Sequence, residues 1–184
     1  MILNKIKEKI ANFHLTTLLK IVPYAFTLHE LEEWNTLLWH QKHQSNIPEV
    51  TDIDLRTVFL LLILFSFIVF YSAIQFRNKI ITVYILFPLL ALMCYNGIVH
   101  CYWTLYFLDY SPGLIFGFFL GVPLMIIIMY KMFHENFIKK WYALLVGLLF
   151  SGLFIEVIHL GDKLEPAIVN AMLLGHKLAL WIWF

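Results

Sequence analysis

The sequence predicts an all-α fold: a polytopic transmembrane helical bundle of five or six spans with a cytoplasmic N-terminus. Three observations carry that prediction. Of the 184 residues, 61% are hydrophobic and only 14% charged, with a mean hydropathy of +0.80, far from the balance of a soluble domain. Apolar runs of bilayer-crossing length recur along the chain between short polar or basic turns. The lysines and arginines gather in alternate turns, the asymmetry that orients membrane proteins. A net charge of +1 without a basic stripe excludes nucleic acid as a partner class.

Each element follows from its own residues. Residues 1–14 read as a basic amphipathic interfacial helix, with Ile2, Leu3, Ile6 and Ile10 set against Lys5, Lys7 and Lys9. No small-residue cleavage site follows, as a signal peptide requires. Residues 15–184 read as a single transmembrane helical domain. In its first part, Leu15 to Leu28 is apolar but short of the roughly 20 residues that cross a bilayer. Leu31, Trp34, Leu37, Leu38 and Trp39 extend the apolar face, so the expected helix runs from about Thr16 to His40 with an acidic cluster embedded in it and a bend at Pro23.

The polar stretch Gln41 to Asp54 is the main extramembrane loop, and Arg56 to Phe76 is an uncharged span closed by the basic turn Arg77-Asn78-Lys79. Ile80 to Leu108 is the next span, with Gly97 as a close-packing point. Asp109-Tyr110-Ser111-Pro112-Gly113 is a turn by its Pro and Gly. Gly113 to Phe133 carries Gly117 and Gly121, small residues through which another helix can approach, and Trp141 to Leu160 is the fifth span. Pro166 to Phe184 is either a sixth span or, given His176 and Lys177 in its middle, an interfacial or re-entrant helix. With the N-terminus inside, Lys5, Lys7, Lys9, Lys20, Arg77, Lys79, Lys131, Lys139 and Lys140 fall on the cytoplasmic side, against Lys42, Arg56 and Lys163 outside. Cys94 and Cys101, about two turns apart on one helix, are too distant for a disulfide.

The chemistry concentrates in His29-Glu30-Leu31-Glu32-Glu33. At 3.6 residues per turn His29, Glu32 and Glu33 share a face, and Glu30 projects elsewhere. Burying an imidazole with two carboxylates beside lipid is costly unless they pair, bind protons or bind a cation. In the predicted topology Asn96 and His100, four apart, and Glu156 and His159, three apart, lie at similar depth on two other helices. Paired Glu and His on facing helices are how bundles present ligands to metals. The expected ligands are therefore His29, Glu32, Glu33, His100 and His159, with Glu33 or Glu156 as catalytic base and Asn96 as an orienting, cofactor-binding group. Zinc, iron or manganese suits that donor set. His40 and His43, beside the polar loop, are weaker candidates.

His29-Glu30-Leu31-Glu32-Glu33 resembles the motif of the HXXEE-domain family, small prokaryotic integral membrane proteins of uncharacterised function. Asn96, His100, Tyr110, Pro112 and Gly113 follow in the order and spacing of a second signature similar to that family's. The resemblance covers roughly residues 20 to 160 and implies a membrane-bound enzyme without naming a substrate; Glu156 and His159 rest on spacing and depth alone. The expected function is a metal-dependent hydrolase or oxidoreductase of the cell membrane acting on a lipid or other hydrophobic small molecule. A metal-free acid/base isomerase and a proton- or cation-coupled transporter are the alternatives. The oligomeric state is left open.

Overall fold

A computed structural model describes residues 14–76, 82–164 and 166–183. The expected N-terminal interfacial helix, apart from His14, and the Arg77-Asn78-Lys79 turn lie outside those residues, as does Phe184. The described residues are helical, with no strand. In order they form α1 (Leu15–Glu32), α2 (Thr36–His43), α3 (Asp52–Phe76), a π-helical turn (Thr82–Leu86) running into α4 (Phe87–Phe107), a π-helical segment (Leu114–Gly121) running into α5 (Val122–His134), α6 (Lys140–Leu160) and α7 (Pro166–Trp183).

Four helices are long and apolar enough to cross a membrane: Asp52–Gln75, Tyr84–Phe107, Leu114–His134 and Lys140–Leu160. α3 starts where a reciprocal cap forms, the Thr51 N–H bonding Asp54 Oδ2 at 2.7 Å while Thr51 Oγ1 faces the Asp54 N–H at 3.4 Å. The two segments expected to add to these four are not among them, and the first is not one helix. Glu33 leaves the helical path at φ −83°, ψ 0°, and a new helix begins at Thr36. The break has a partner: Arg56 Nε donates to the Trp34 carbonyl at 3.3 Å, and Nη2 to Asn35 Oδ1 at 2.6 Å. A carbonyl released by the broken ladder is thus satisfied by a cation from α3.

One apolar core joins α1, α3, α4 and α5 through Leu19, Val22, Phe70, Leu90, Met125 and Ile128. A second lies under α2 and the loop that follows it, built from Leu37, Trp39, Leu55, Val99, Trp103 and Met172. α6 is peripheral: it buries only Val146 and Val157, and leaves Leu144, Leu145, Leu148 and Leu149 on the outside. α7 lies along α3, where the His176 ring meets Asp54 Oδ2 at 3.1 Å and Trp183 Nε1 donates to Thr57 Oγ1 at 3.2 Å. Asn46 fixes the chain entering α7 by clasping both backbone groups of Leu164, at 2.6 and 3.1 Å.

A close helix approach positions the site. A Cβ on Gly97 of α4 would stand 2.5 Å from the Gly117 carbonyl oxygen in the π-helical segment, so only glycine lets these two backbones touch. Gly117, expected to serve this purpose, does so, whereas a Cβ on Gly121 would meet only the carbonyl of Phe116 in its own segment. Gly97→Ala is therefore expected to destabilise the bundle by about 1–3 kcal/mol, while Gly147→Ala, with no described residue within 4 Å of the added atom, should be stabilising by up to about 1 kcal/mol through helix propensity. Thermal unfolding of the two variants in detergent checks the contrast.

Candidate functional site

The site is built at the end of α1, where two adjacent carboxylates turn in different directions. Glu33, one residue past the helix, points inward; its Oε1 lies 2.5 Å from His100 Nε2 on α4 and 3.5 Å from His29 Nε2 one turn back on α1. All three are buried, at 5% (His29), 8% (Glu33) and 3% (His100) exposure. One donor atom from each lies within 4.8 Å of the others, a set able to hold a metal ion. Asn96 Nδ2 sits 2.7 Å from His29 Nε2, and the Ser111 hydroxyl faces His100 Nδ1 at 3.0 Å. The Ser111 contact, on the ring nitrogen turned away from Glu33, is of the outer kind that fixes ring orientation and tautomer, whereas Asn96 meets His29 at the same nitrogen that faces Glu33.

Glu32 turns outward to other work. Its carboxylate accepts the backbone N–H of Ile115 at 2.9 Å, that of Phe116 at 2.7 Å, and the hydroxyl of Tyr110. These amides open the π-helical segment, so Glu32 places an anion where a helix end presents free donors. Burial first, and the bond to Glu32 second, push the Tyr110 phenol up. The segment so anchored roofs the site. Gly113, at φ +96°, leaves no room for a side chain: a Cβ there would fall 2.6 Å from Glu33 Oε1 and 2.8 Å from His100 Cε1. A Cβ on Gly117 would stand 2.9 Å from the His29 ring. A second tie holds the start of the roof, Lys42 Nζ and His43 Nε2 meeting Asp109 Oδ2 at 2.7 and 2.8 Å. Lys42 foremost, then His43, draws the Asp109 carboxyl down to about 2.

Below the cluster opens a cavity of about 420 Å³. Apolar side chains of α3, α4, α5 and α7 form most of its wall, among them Phe59, Leu62, Phe65, Met93, Met125 and Met172. Its polar lining comes from His29, Glu30, Glu33, Thr36, His40, Asn96 and His100, and Ser66, Tyr95 and Trp103 are also in the wall.

Of the expected site residues, His29, Glu33, Asn96 and His100 come together. Glu32 adjoins them but serves as the anchor of the roof, because the helix ends at it and turns its carboxylate towards Ile115. Glu156 and His159 stay apart: both are exposed on α6, and His159 Nδ1 lies 2.8 Å from the Ile155 carbonyl of its own helix. α6 meets the bundle through Val157, which turns these two neighbours away. Glu30, expected to project elsewhere, is 3% exposed and lines the cavity. The helical wheel contained that signal. At about 100° per residue Glu33 lies roughly 40° from His29 and 60° from Glu30, so Glu33 is the centre of an arc that holds all three. His40 also lines the cavity, its Nδ1 2.6 Å from Gln44 Oε1. Ser111 had no spacing to betray it.

Residues 20–128 match the family model described as proteins of unknown function with an HXXEE motif. The chain belongs to the HXXEE family. It is also similar to the uncharacterized protein YrkK of Bacillus subtilis (strain 168), with 26% identity over 150 residues covering 78% of this chain and 94% of that protein. No solved structure matches it. The HXXEE motif residues thus divide by task in this structure: the His and the second Glu join His100, and the first Glu holds the roof over them. The matched region ends inside α5, leaving α6 and α7 outside it.

Removing the Glu32 carboxylate is expected to loosen the roof without touching the cluster itself. A hydrogen bond to a charged group contributes about 1.5–3 kcal/mol, so Glu32→Ala should speed amide exchange at Ile115 and Phe116 by roughly 10- to 100-fold. Hydrogen exchange mass spectrometry over 113–117 measures it, and unchanged protection there would remove Glu32 from this role.

Proposed function

We propose that this HXXEE protein is a multi-pass enzyme of the cell membrane whose His29, Glu33 and His100 bind one divalent transition metal, zinc, iron or manganese, beside a cavity for a hydrophobic small molecule. The observation that carries the reading is the convergence of two imidazoles and one carboxylate, all buried, at the edge of an otherwise apolar cavity. Three protein ligands with a position left open are the hallmark of catalytic sites, whereas structural sites close all four positions. A bound divalent ion also offsets the cost of burying Glu33. Tetrahedral ligands at 2.0–2.1 Å from a metal stand about 3.3 Å apart. The 3.5 Å between His29 and Glu33 already suits this, and His100 and Glu33 need to separate by less than 1 Å.

In this reading the four long apolar helices span the bilayer and α1–α2 form an embedded, broken fifth element. α7 packs on α3 as the sixth, and the lysine bias sets the N-terminus in the cytoplasm. The metal supplies Lewis acidity or an activated water, which suits a hydrolase or an oxidoreductase. One observation favours a second reading, metal-free acid/base chemistry of the isomerase type: His100 and Glu33 are already within hydrogen-bond distance, and the Asn96 amide already occupies His29 Nε2.

Metal analysis of protein purified without chelators separates the two. The expected result is about one transition metal per chain in the wild type, falling by more than tenfold in His29→Ala, Glu33→Ala and His100→Ala. Glu156→Gln and His159→Ala should keep the full complement. A wild type with no stoichiometric metal would overturn the metal reading and leave acid/base catalysis in its place.

A further inference from the structure

We infer that the cavity opens sideways into the bilayer core, through a window between α3 and α4, and takes its molecule from there: an uncharged, hydrocarbon-bodied compound dissolved among the lipid chains. This deepens the reading above and rests on its spanning helices and hydrophobic substrate, not on its metal. The lining of the cavity sorts by exposure. Every polar side chain in it is buried except Asn96, which is half-buried. Among the described residues, those that line the cavity and yet stand exposed are Leu62 (41%) and Phe65 (51%) of α3, Leu92 (45%) of α4, and Ala167 and Ala171 of α7. All five are apolar. A rim of this composition is matched to hydrocarbon, because exposed apolar surface is costly only against water.

Two packed layers frame the window. Towards the end where α3 leads into α4, Phe70 and Ala73 share the first apolar core with Leu86 and Leu90. Towards the other end, Leu55 and Phe59 share the second core with Tyr95, Val99 and Met172. Leu62 and Phe65 fall between these layers on α3, and Leu92 falls between them on α4. The three also share a depth. Leu62 and Phe65 lie 10 and 13 residues after Asp52, the first residue of α3, about 15 and 20 Å at 1.5 Å per residue. Leu92 lies 15 residues before Phe107, the last of the antiparallel α4, about 22 Å by the same rise. In a hydrocarbon core about 30 Å thick that is close to the middle. His100 stands 8 residues further along α4, about 12 Å from Leu92 towards the outer end. Whatever polar group reaches the cluster by this route therefore crosses the middle of the bilayer first. A charge at that depth is costly, so the group is uncharged, and the same cost excludes a phospholipid head group.

The test is photolabelling of the full chain in phosphatidylcholine vesicles with two carbene-forming probes. One is an uncharged aryl trifluoromethyl diazirine that dissolves in the bilayer; the other is a diazirine alkanoate, an anion kept in the water on both sides. Peptide mass spectrometry reads Phe59, Met125 and Met172, buried in the cavity wall, against Leu90 and Ile128, buried outside it. Each probe is normalised to its own exposed targets, Leu144 and Leu148 of α6 for the first and the 44–51 loop for the second. The bilayer probe should label the cavity residues about tenfold above Leu90 and Ile128, and about tenfold above the anion, which the cost of a charge at that depth keeps out. The double variant Leu62→Trp, Leu92→Trp, which fills the window from both sides, should cut that labelling by about tenfold and leave Leu144 and Leu148 unchanged. Equal labelling by the two probes, labelling by the anion alone, no labelling above Leu90 and Ile128, or undiminished labelling in the double variant would overturn the inference. If the double variant does not fold, the wild-type ratio of the two probes decides alone. Metal content measured on the same vesicles keeps the two proposals apart. Labelling from the bilayer in metal-free protein sinks the metal reading only; a full metal complement with the anion as the better label sinks this inference only.

Discussion

The structure turns on how two neighbouring carboxylates at the end of α1 are satisfied. Glu32 and Glu33 cannot both stay on the outer surface of an apolar bundle without cost, and the fold resolves them in opposite directions. Glu33 goes inward to His100 and His29, and Glu32 goes to the backbone amides that open the π-helical segment. Everything near the site depends on this split. It requires α1 to stop where it does, the 108–113 turn to fold back over the cluster, and glycine at 113 and 117 so that the roof comes down to contact distance. Arg56 makes the stop tolerable by taking up the Trp34 carbonyl, and Asn96 and Ser111 fix the rings that Glu33 meets.

Much of this is legible in the sequence. Hydrocarbon-length apolar runs report directly on the surrounding solvent, so α3, α4, α5 and α6 stand out. The pairs His29/Glu33 and Asn96/His100 are one helical turn apart, and local spacing is enough to put each on one face. The Pro-Gly turn at 112–113 is equally clear. The end of α1 is not, because Leu31, Trp34, Leu37 and Leu38 carry an apolar helical pattern straight through it. The break depends on Arg56, over twenty residues downstream, and on amides beyond residue 110, which no local pattern contains. The pair Glu156/His159 shows the opposite failure. Its spacing is as good as that of the others, but α6 is leucine-rich on most sides, so its pattern does not say which face packs. Only the contact through Val146 and Val157 decides that, and it leaves the pair outside.

The site is also asymmetric in a way that bears on chemistry. Above the cluster the roof is close-packed backbone with no room for an added methyl group; below it is an open cavity with a mostly apolar wall. Anything that reaches His29, Glu33 and His100 therefore comes from the cavity side. Rigid support on one side and free space on the other are what preorganised sites require, since the reacting groups keep their geometry whether or not a molecule is present.

Part of the cavity wall belongs to a different stretch of chain from the cluster. Ala167, Ile168, Ala171 and Met172 of α7 line it, about forty residues past the end of the family match. α7 packs on α3, with Gly175 against Val58 and the Asp54 carbonyl, and is tied there by His176 to Asp54 and Trp183 to Thr57. The polar centre and this part of the room beside it are thus built from separate stretches of chain, so a change at Ala167 or Ala171 alters the cavity while leaving every residue of the cluster as it is.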